Sequence, residues 1–125
     1  MKISLTNHEA DVMQVLWEHG PCLVAEVREH LQDDLAYTTV LTILRTLEAK
    51  GYVRHSEEGR GHRYAPKVQQ HAARKSALRH LTDKLFKGSA ELLFTQLVAD
   101  QKLTPEQIER MRELLAKKAD DKGEP

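Results

Sequence analysis

Between residues 37 and 51 the chain reads YTTVLTILRTLEAKG, and Thr38, Thr39, Thr42 and Thr46 fall with Arg45 inside an otherwise amphipathic helical pattern. A β-branched side chain loses χ1 freedom in a helix, so Glu or Lys would solvate that surface with better helix propensity. What threonine adds is a short hydroxyl that both donates and accepts, next to a methyl group. What arginine adds is a rigid fork of N–H donors. Spaced three and four apart, such groups suit close-range reading of another polar surface, not bond making.

The other residues with chemical potential are less organised. The histidines, His8, His19, His30, His55, His62, His71 and His80, are scattered and form no HxH, HExxH or His/Cys ligand spacing. Solvated or capping imidazoles are the expectation, with no metal and no cofactor. Cys22 is the single cysteine, so there is no disulfide framework and no CxxC motif, and it reads as a small buried hydrophobe. No phosphate-binding glycine loop, nucleophile elbow or paired-carboxylate catalytic arrangement is present, and we expect no enzymatic activity.

Formal net charge is zero, but its distribution is uneven. Residues 1–34 carry two basic side chains against seven acids, residues 35–65 five against three, and residues 66–102 seven against three. An anionic partner would therefore meet the chain from the threonine helix onward. The N-terminus has no apolar signal region, and no apolar run approaches the roughly 18–20 residues of a membrane span. A cytoplasmic protein without membrane insertion is expected.

The elements that must position these residues can be read in order. LTNHEADVMQVLWEHG opens with Thr6 and Glu9 in capping-box spacing, carries a Val12/Met13/Leu16/Trp17 stripe and stops at Gly20-Pro21. PCLV is a short extended piece. Val24, Val27 and Leu31 mark a second short helix, and the threonine helix follows, ended by Gly51. Tyr52–His55 and His62–Ala65 have strand character around a loop holding Gly59 and Gly61, and Pro66 closes the second strand. Helix, short strand, helix, helix, hairpin is the order of a helix-turn-helix with a two-stranded wing.

At about 100° per residue, Val40, Ile43, Leu44 and Leu47 share one face of the third helix. Thr38, Thr42, Arg45 and Ala49 share the opposite one, flanked by Thr39 and Thr46, with Glu48 to the side. The outward face is short and free of acids, which lets a helix backbone approach the floor of a DNA major groove. There threonine can pair with base edges or touch thymine methyls, and arginine can read guanine. In GRGHRY, Arg60 stands at a glycine-flanked tip with His62 and Arg63 behind it, placed for phosphates or the minor groove. The DNA-contacting set is thus Thr38, Thr39, Thr42, Arg45, Thr46, Arg60, His62 and Arg63. The alternative is a winged-helix protein–protein adaptor that docks the same face on a partner without specific DNA binding.

Past Pro66 three further helices are expected. Their apolar positions are Leu78, Leu81 and Leu85, then Leu93, Phe94, Leu97 and Val98, then Ile108, Met111 and Leu115, the last helix starting with Thr104 as cap and Pro105 as first residue. Stripes this apolar in a short segment call for cover, which a second copy of the chain would supply. The expected architecture is mainly α with a small β-hairpin. It comprises a winged helix-turn-helix DNA-binding domain (1–66), a three-helix dimerisation region (67–118) and a flexible tail (119–125).

LTNHEADVMQVLWEHGP, YTTVLTILRTLEAKGYVRH, GRGHRYAP and KLTPEQIERMRELL, in that order and at those separations, resemble the penicillinase-repressor family of winged-helix regulators (BlaI/MecI/CopY type). The resemblance spans roughly residues 3–117. It implies a homodimeric transcriptional repressor on a palindromic, dyad-symmetric double-stranded DNA operator. In family members the third helix reads DNA with residues matching Thr38, Thr39, Thr42 and Arg45. The antibiotic-resistance branch implies a membrane sensor protease as partner, with cleavage at an Asn-Phe bond where this chain has Gln96-Leu97. The copper-responsive branch uses a C-terminal CxC pair, and no cysteine follows Cys22 here.

Overall fold

The computed structural model describes residues 2–123. Its elements are α1 (Asn7–His19), β1 (Cys22–Leu23), α2 (Val24–His30), α3 (Tyr37–Ala49), β2 (Val53–Glu58), β3 (Gly61–Pro66), α4 (Gln70–Leu85), α5 (Ala90–Asp100) and α6 (Pro105–Gly123). Two compact units divide the chain, Met1–His80 and Leu81–Pro125.

In the first unit the local signals act as the sequence suggests. The Thr6 side chain accepts from the Glu9 amide (3.2 Å), and Glu9 accepts from the Thr6 amide (2.8 Å), closing the capping box that starts α1. Gly20 takes φ 76° where the helix stops. Past α3, the amides of Gly51 and Tyr52 donate back to the carbonyls of Glu48 and Leu47 (both 2.9 Å), with Gly51 at φ 84°. This Schellman closure needs the left-handed conformation that glycine adopts without strain, one residue after the Lys50 C-cap. Leu31, expected in the stripe of α2, follows the helix end as its C-cap and still packs against the core.

The wing is larger than a hairpin. β1, β3 and β2 form a three-stranded antiparallel sheet with β3 in the centre, Cys22 opposite Tyr64 and Leu23 opposite Arg63. β2 runs on to Glu58 and β3 starts at Gly61, leaving Gly59 and Arg60 as a two-residue turn. Positive φ at Gly59 (61°) but not at Arg60 is the combination of a type II′ turn, which matches the twist of the flanking strands. β2 is an edge strand buried only at Val53, so its outer half carries no hydrophobic alternation to mark it.

Val12, Met13, Leu16, Val27, Val40, Leu44 and Leu47 are fully buried, with Val53 and Tyr64 from the sheet. Cys22 belongs to this core, where burial pushes its thiol pKa up. The first unit extends past Pro66. Trp17 Nε1–H donates to the Val68 carbonyl (2.9 Å), the Ile3 amide donates to Ser76 Oγ (2.8 Å), and Ala73 is buried. The first half of α4 is thereby fastened to the domain that the sequence would end at residue 66.

Glu9 is buried and accepts a hydrogen bond from Lys50 Nζ at 2.8 Å. Burial raises its pKa, but the Lys50 and Thr6 hydrogen bonds and the Lys50 charge outweigh it, so the carboxyl titrates below its ordinary value. A depressed carboxyl pKa contributes stability that is present above the unfolded value and lost as pH falls through the folded one. Glu9→Gln is therefore expected to lower the unfolding midpoint at pH 7 and to lose that penalty progressively below about pH 4.5, measured by urea denaturation at both pH values.

In the second unit, Lys87 and Gly88 have positive φ (53° and 74°) and turn the chain into α5, whose cap Ser89 accepts from the Leu92 amide at 3.1 Å. Thr104 accepts from the Gln107 amide (3.1 Å) and donates its own amide to the Gln107 side chain (2.9 Å), a capping box that starts α6 at Pro105. α6 continues through Gly123, so residues 119–123 are helical where composition suggested a tail, and 124–125 lie outside the described residues. Among the described residues no helix is long and apolar enough to cross a membrane.

Candidate nucleic-acid interface

The threonine helix α3 is seated by one face only. Val40, Leu44 and Leu47 are fully buried and Ile43 packs against the core, while Thr38, Thr39, Thr42, Arg45, Thr46 and Ala49 are exposed. The exposed stripe contains no acid. The N-cap of α3, Ala36, offers no side-chain cap and its first turn holds no acid, unlike α1, where Thr6 and Glu9 fill that place. The exposed stripe and first turn of α3 thus present no carboxylate of their own.

The hydroxyls on this face divide into two kinds. Thr42 Oγ1–H donates to the Thr38 carbonyl (2.9 Å), and Thr46 Oγ1–H donates to the Thr42 carbonyl (3.0 Å). The Thr38 and Thr39 hydroxyls have no protein partner among the described residues. Arg45 lies near the buried Tyr64 hydroxyl, whose pKa is pushed up by burial and by Glu48 and drawn back by Arg45. The guanidinium thus sits where α3 meets the wing.

The three wing residues named from the sequence are placed differently from one another. Arg60 is exposed at the tip of the β2–β3 turn. His62 is half-buried and stacks on His55 (4.4 Å between centroids, 15° between planes), and the His55 ring is anchored to Glu48 at 2.6 Å. Imidazoles and carboxylate together brace the wing against α3. Arg63 is occupied within the fold. It pairs with Glu58, donates to the Pro21 carbonyl (3.0 Å) and reaches Glu26 Oε1 (3.4 Å). Its guanidinium holds the Glu58 carboxyl below the usual carboxylate range.

Arg63, named from the sequence among the contacting residues, is tied within the fold to Glu58 of β2, Glu26 of α2 and the Pro21 carbonyl just before β1. The register that sets it opposite Leu23 also delivers it to Glu26, and no linear pattern carries that information. Glu26, Glu48 and His55 were missed for the same reason. The only linear hint is Glu26 as N3 of α2, accepting from the Leu23 amide at 2.8 Å.

In the second unit α5 has no buried residue. Leu81, Leu85, Phe94, Leu97, Val98, Ile108 and Leu115 are all exposed, as is Leu78 on α4, while Leu93 and Met111 are half-buried. Phe94 and Val98 of α5 and Ile108, Met111 and Leu115 of α6 line one open apolar groove. Among the described residues no group of three or more His, Cys, Asp or Glu side chains could hold a metal ion.

A three-helix core whose last helix exposes a polar stripe, followed at once by an antiparallel sheet with a basic tip, defines a winged helix-turn-helix. Residues 5–117 match the family described as Penicillinase repressor, and the chain belongs to that family. It is 23% identical over 122 residues to the penicillinase repressor of Bacillus licheniformis, covering 96% of this chain and 95% of that protein. It is 45% identical over 65 residues to the transcriptional regulator BlaI of Mycobacterium tuberculosis, covering 50% of this chain and 47% of that protein. Among solved structures, the DNA-binding domain of the repressor BlaI is similar over 56% of this chain and 90% of that domain, with 31% identity and a TM-score of 0.50.

Proposed function

We propose that this DNA-binding transcriptional repressor acts in the cytoplasm as a homodimer on a dyad-symmetric operator. α3 enters the major groove with Thr38, Thr39, Thr42, Arg45 and Thr46 toward base edges. Arg60, at the turn, reaches the flanking phosphate or minor groove, His62 supports it, and Arg63 holds the wing in place. The observation that carries this reading is the acid-free exposed face of α3 beside an exposed basic turn. Dimerisation through α4–α6 is supported by the exposed apolar residues of the second unit, which a partner copy would cover.

Control by a membrane sensor protease rests on the resemblance alone. Gln96-Leu97 lies in mid-α5, where Gln96 bonds to Asp100 one turn on, so cleavage there requires local unwinding.

Selection of bound duplexes from random DNA tests the proposal. A palindromic consensus is the expected outcome; absence of salt-sensitive duplex binding would favour the protein adaptor. On the selected duplex Arg60→Ala should weaken binding to all sequences alike and reduce the slope of log affinity against log salt by about one, read by polarisation titrations at several salt concentrations.

A further inference from the structure

We propose that Thr42 and Thr46 read DNA as hydrogen-bond acceptors only, and so select base pairs that turn an exocyclic amino group toward α3. The inference rests on the DNA-reading role just proposed and specifies its chemistry.

A threonine hydroxyl has one proton and two lone pairs. In Thr42 and Thr46 that proton is committed to the carbonyl one turn back, at 2.9 and 3.0 Å. Both side chains are exposed, so the lone pairs remain open to a ligand. In the major groove adenine N6 and cytosine N4 offer N–H donors, whereas guanine O6 and thymine O4 offer acceptors. An amino group meets the free lone pairs directly. A keto oxygen would meet them lone pair to lone pair, unless the hydroxyl gave up its backbone bond and rotated.

Arg45 supplies the opposite polarity from the same face, since a guanidinium can only donate. Thr38 and Thr39, whose hydroxyl protons are uncommitted, can serve either kind of edge. The stripe therefore has a fixed polarity in the middle and an adaptable one at its N-terminal end. A half-site should hold a guanine for Arg45 close to a position where an amino-bearing base is required on the strand facing α3.

The test uses the full-length protein and duplexes selected from random DNA. At the position in each half-site that Thr42 meets, and again at the one that Thr46 meets, exchanging amino and keto partners (A·T to T·A, or C·G to G·C) should weaken wild-type binding about ten-fold. Thr42→Val keeps the shape and the β-branch but removes the acceptor, and should abolish that discrimination at one such position. Thr42→Ser keeps the hydroxyl and should retain it. Two results overturn the inference while leaving DNA recognition intact. Either Thr42→Val discriminates like wild type at every position, or Thr42→Ser loses discrimination as fully as Thr42→Val, which would assign the effect to the methyl group. Failure to enrich any sequence would instead overturn DNA reading itself, and this inference with it.

Discussion

Leu97→Glu is expected to convert the protein to a monomer and to weaken binding to a two-half-site duplex by about 10²–10⁴-fold. Leu97 is exposed on α5, a helix without a buried residue, so the change costs the isolated subunit little. In the proposed dimer the same position is covered, and an unpaired carboxylate there is strongly unfavourable. Linking two half-site contacts makes the second one effectively intramolecular, and loss of the link forfeits that gain without touching any DNA contact. Binding to a duplex carrying one half-site should accordingly stay near the wild-type value. Sedimentation velocity of the variant, next to titrations on one- and two-site duplexes, checks both parts. A Leu97→Glu protein that stays dimeric would remove α5 from the interface.

Leu44→Ala should destabilise the first unit by about 2–5 kcal/mol, a large share of the roughly 5–15 kcal/mol that holds a small domain folded. Leu44 is fully buried between Val40 and Leu47 on the inner face of α3, and truncation leaves a cavity that its neighbours fill only in part. The adjacent residue gives the contrast. Arg45→Ala removes an exposed side chain and should move the folding free energy by no more than about 0.5 kcal/mol. Urea denaturation of the two variants separates the inner and outer faces of one helix. Similar large losses for both would mean that Arg45 holds the fold together.

That contrast marks what the amino-acid order makes legible. Helical periodicity divides α3 into a seated and an exposed face, because burial on a helix follows a repeat of about 3.6 residues. The caps at Thr6 and Thr104 and the closure after Gly51 are equally local, each within one turn of its signal. Tertiary partnership is not local. β1 is two residues long, too short for any period, and joins the sheet only because Cys22 and Leu23 lie beside Tyr64 and Arg63. The outer half of β2 is exposed and polar, so pairing with β3 and not hydrophobicity makes it a strand.

Charge is less legible for a related reason. Arg60 and Arg63 look alike in GRGHRY, yet one stands in the turn and the other sits on a strand beside Glu58, Glu26 and Pro21. Basicity in a sequence counts cations, while binding depends on which of them the fold leaves uncommitted. By that measure α3 carries one exposed arginine among short hydroxyls, and the wing carries exposed Arg54 on β2 and Arg60 at its turn.

The central claim is that the outer face of α3 distinguishes one DNA sequence from another. Polarisation titrations of wild type and Arg45→Ala on a selected duplex and on a random duplex, at one salt concentration, test it most directly. The expected result is a loss of about 1–3 kcal/mol on the selected duplex with little change on the random one. Equal losses on both duplexes would contradict it, reducing Arg45 to a phosphate contact and leaving the threonine face without its assigned role.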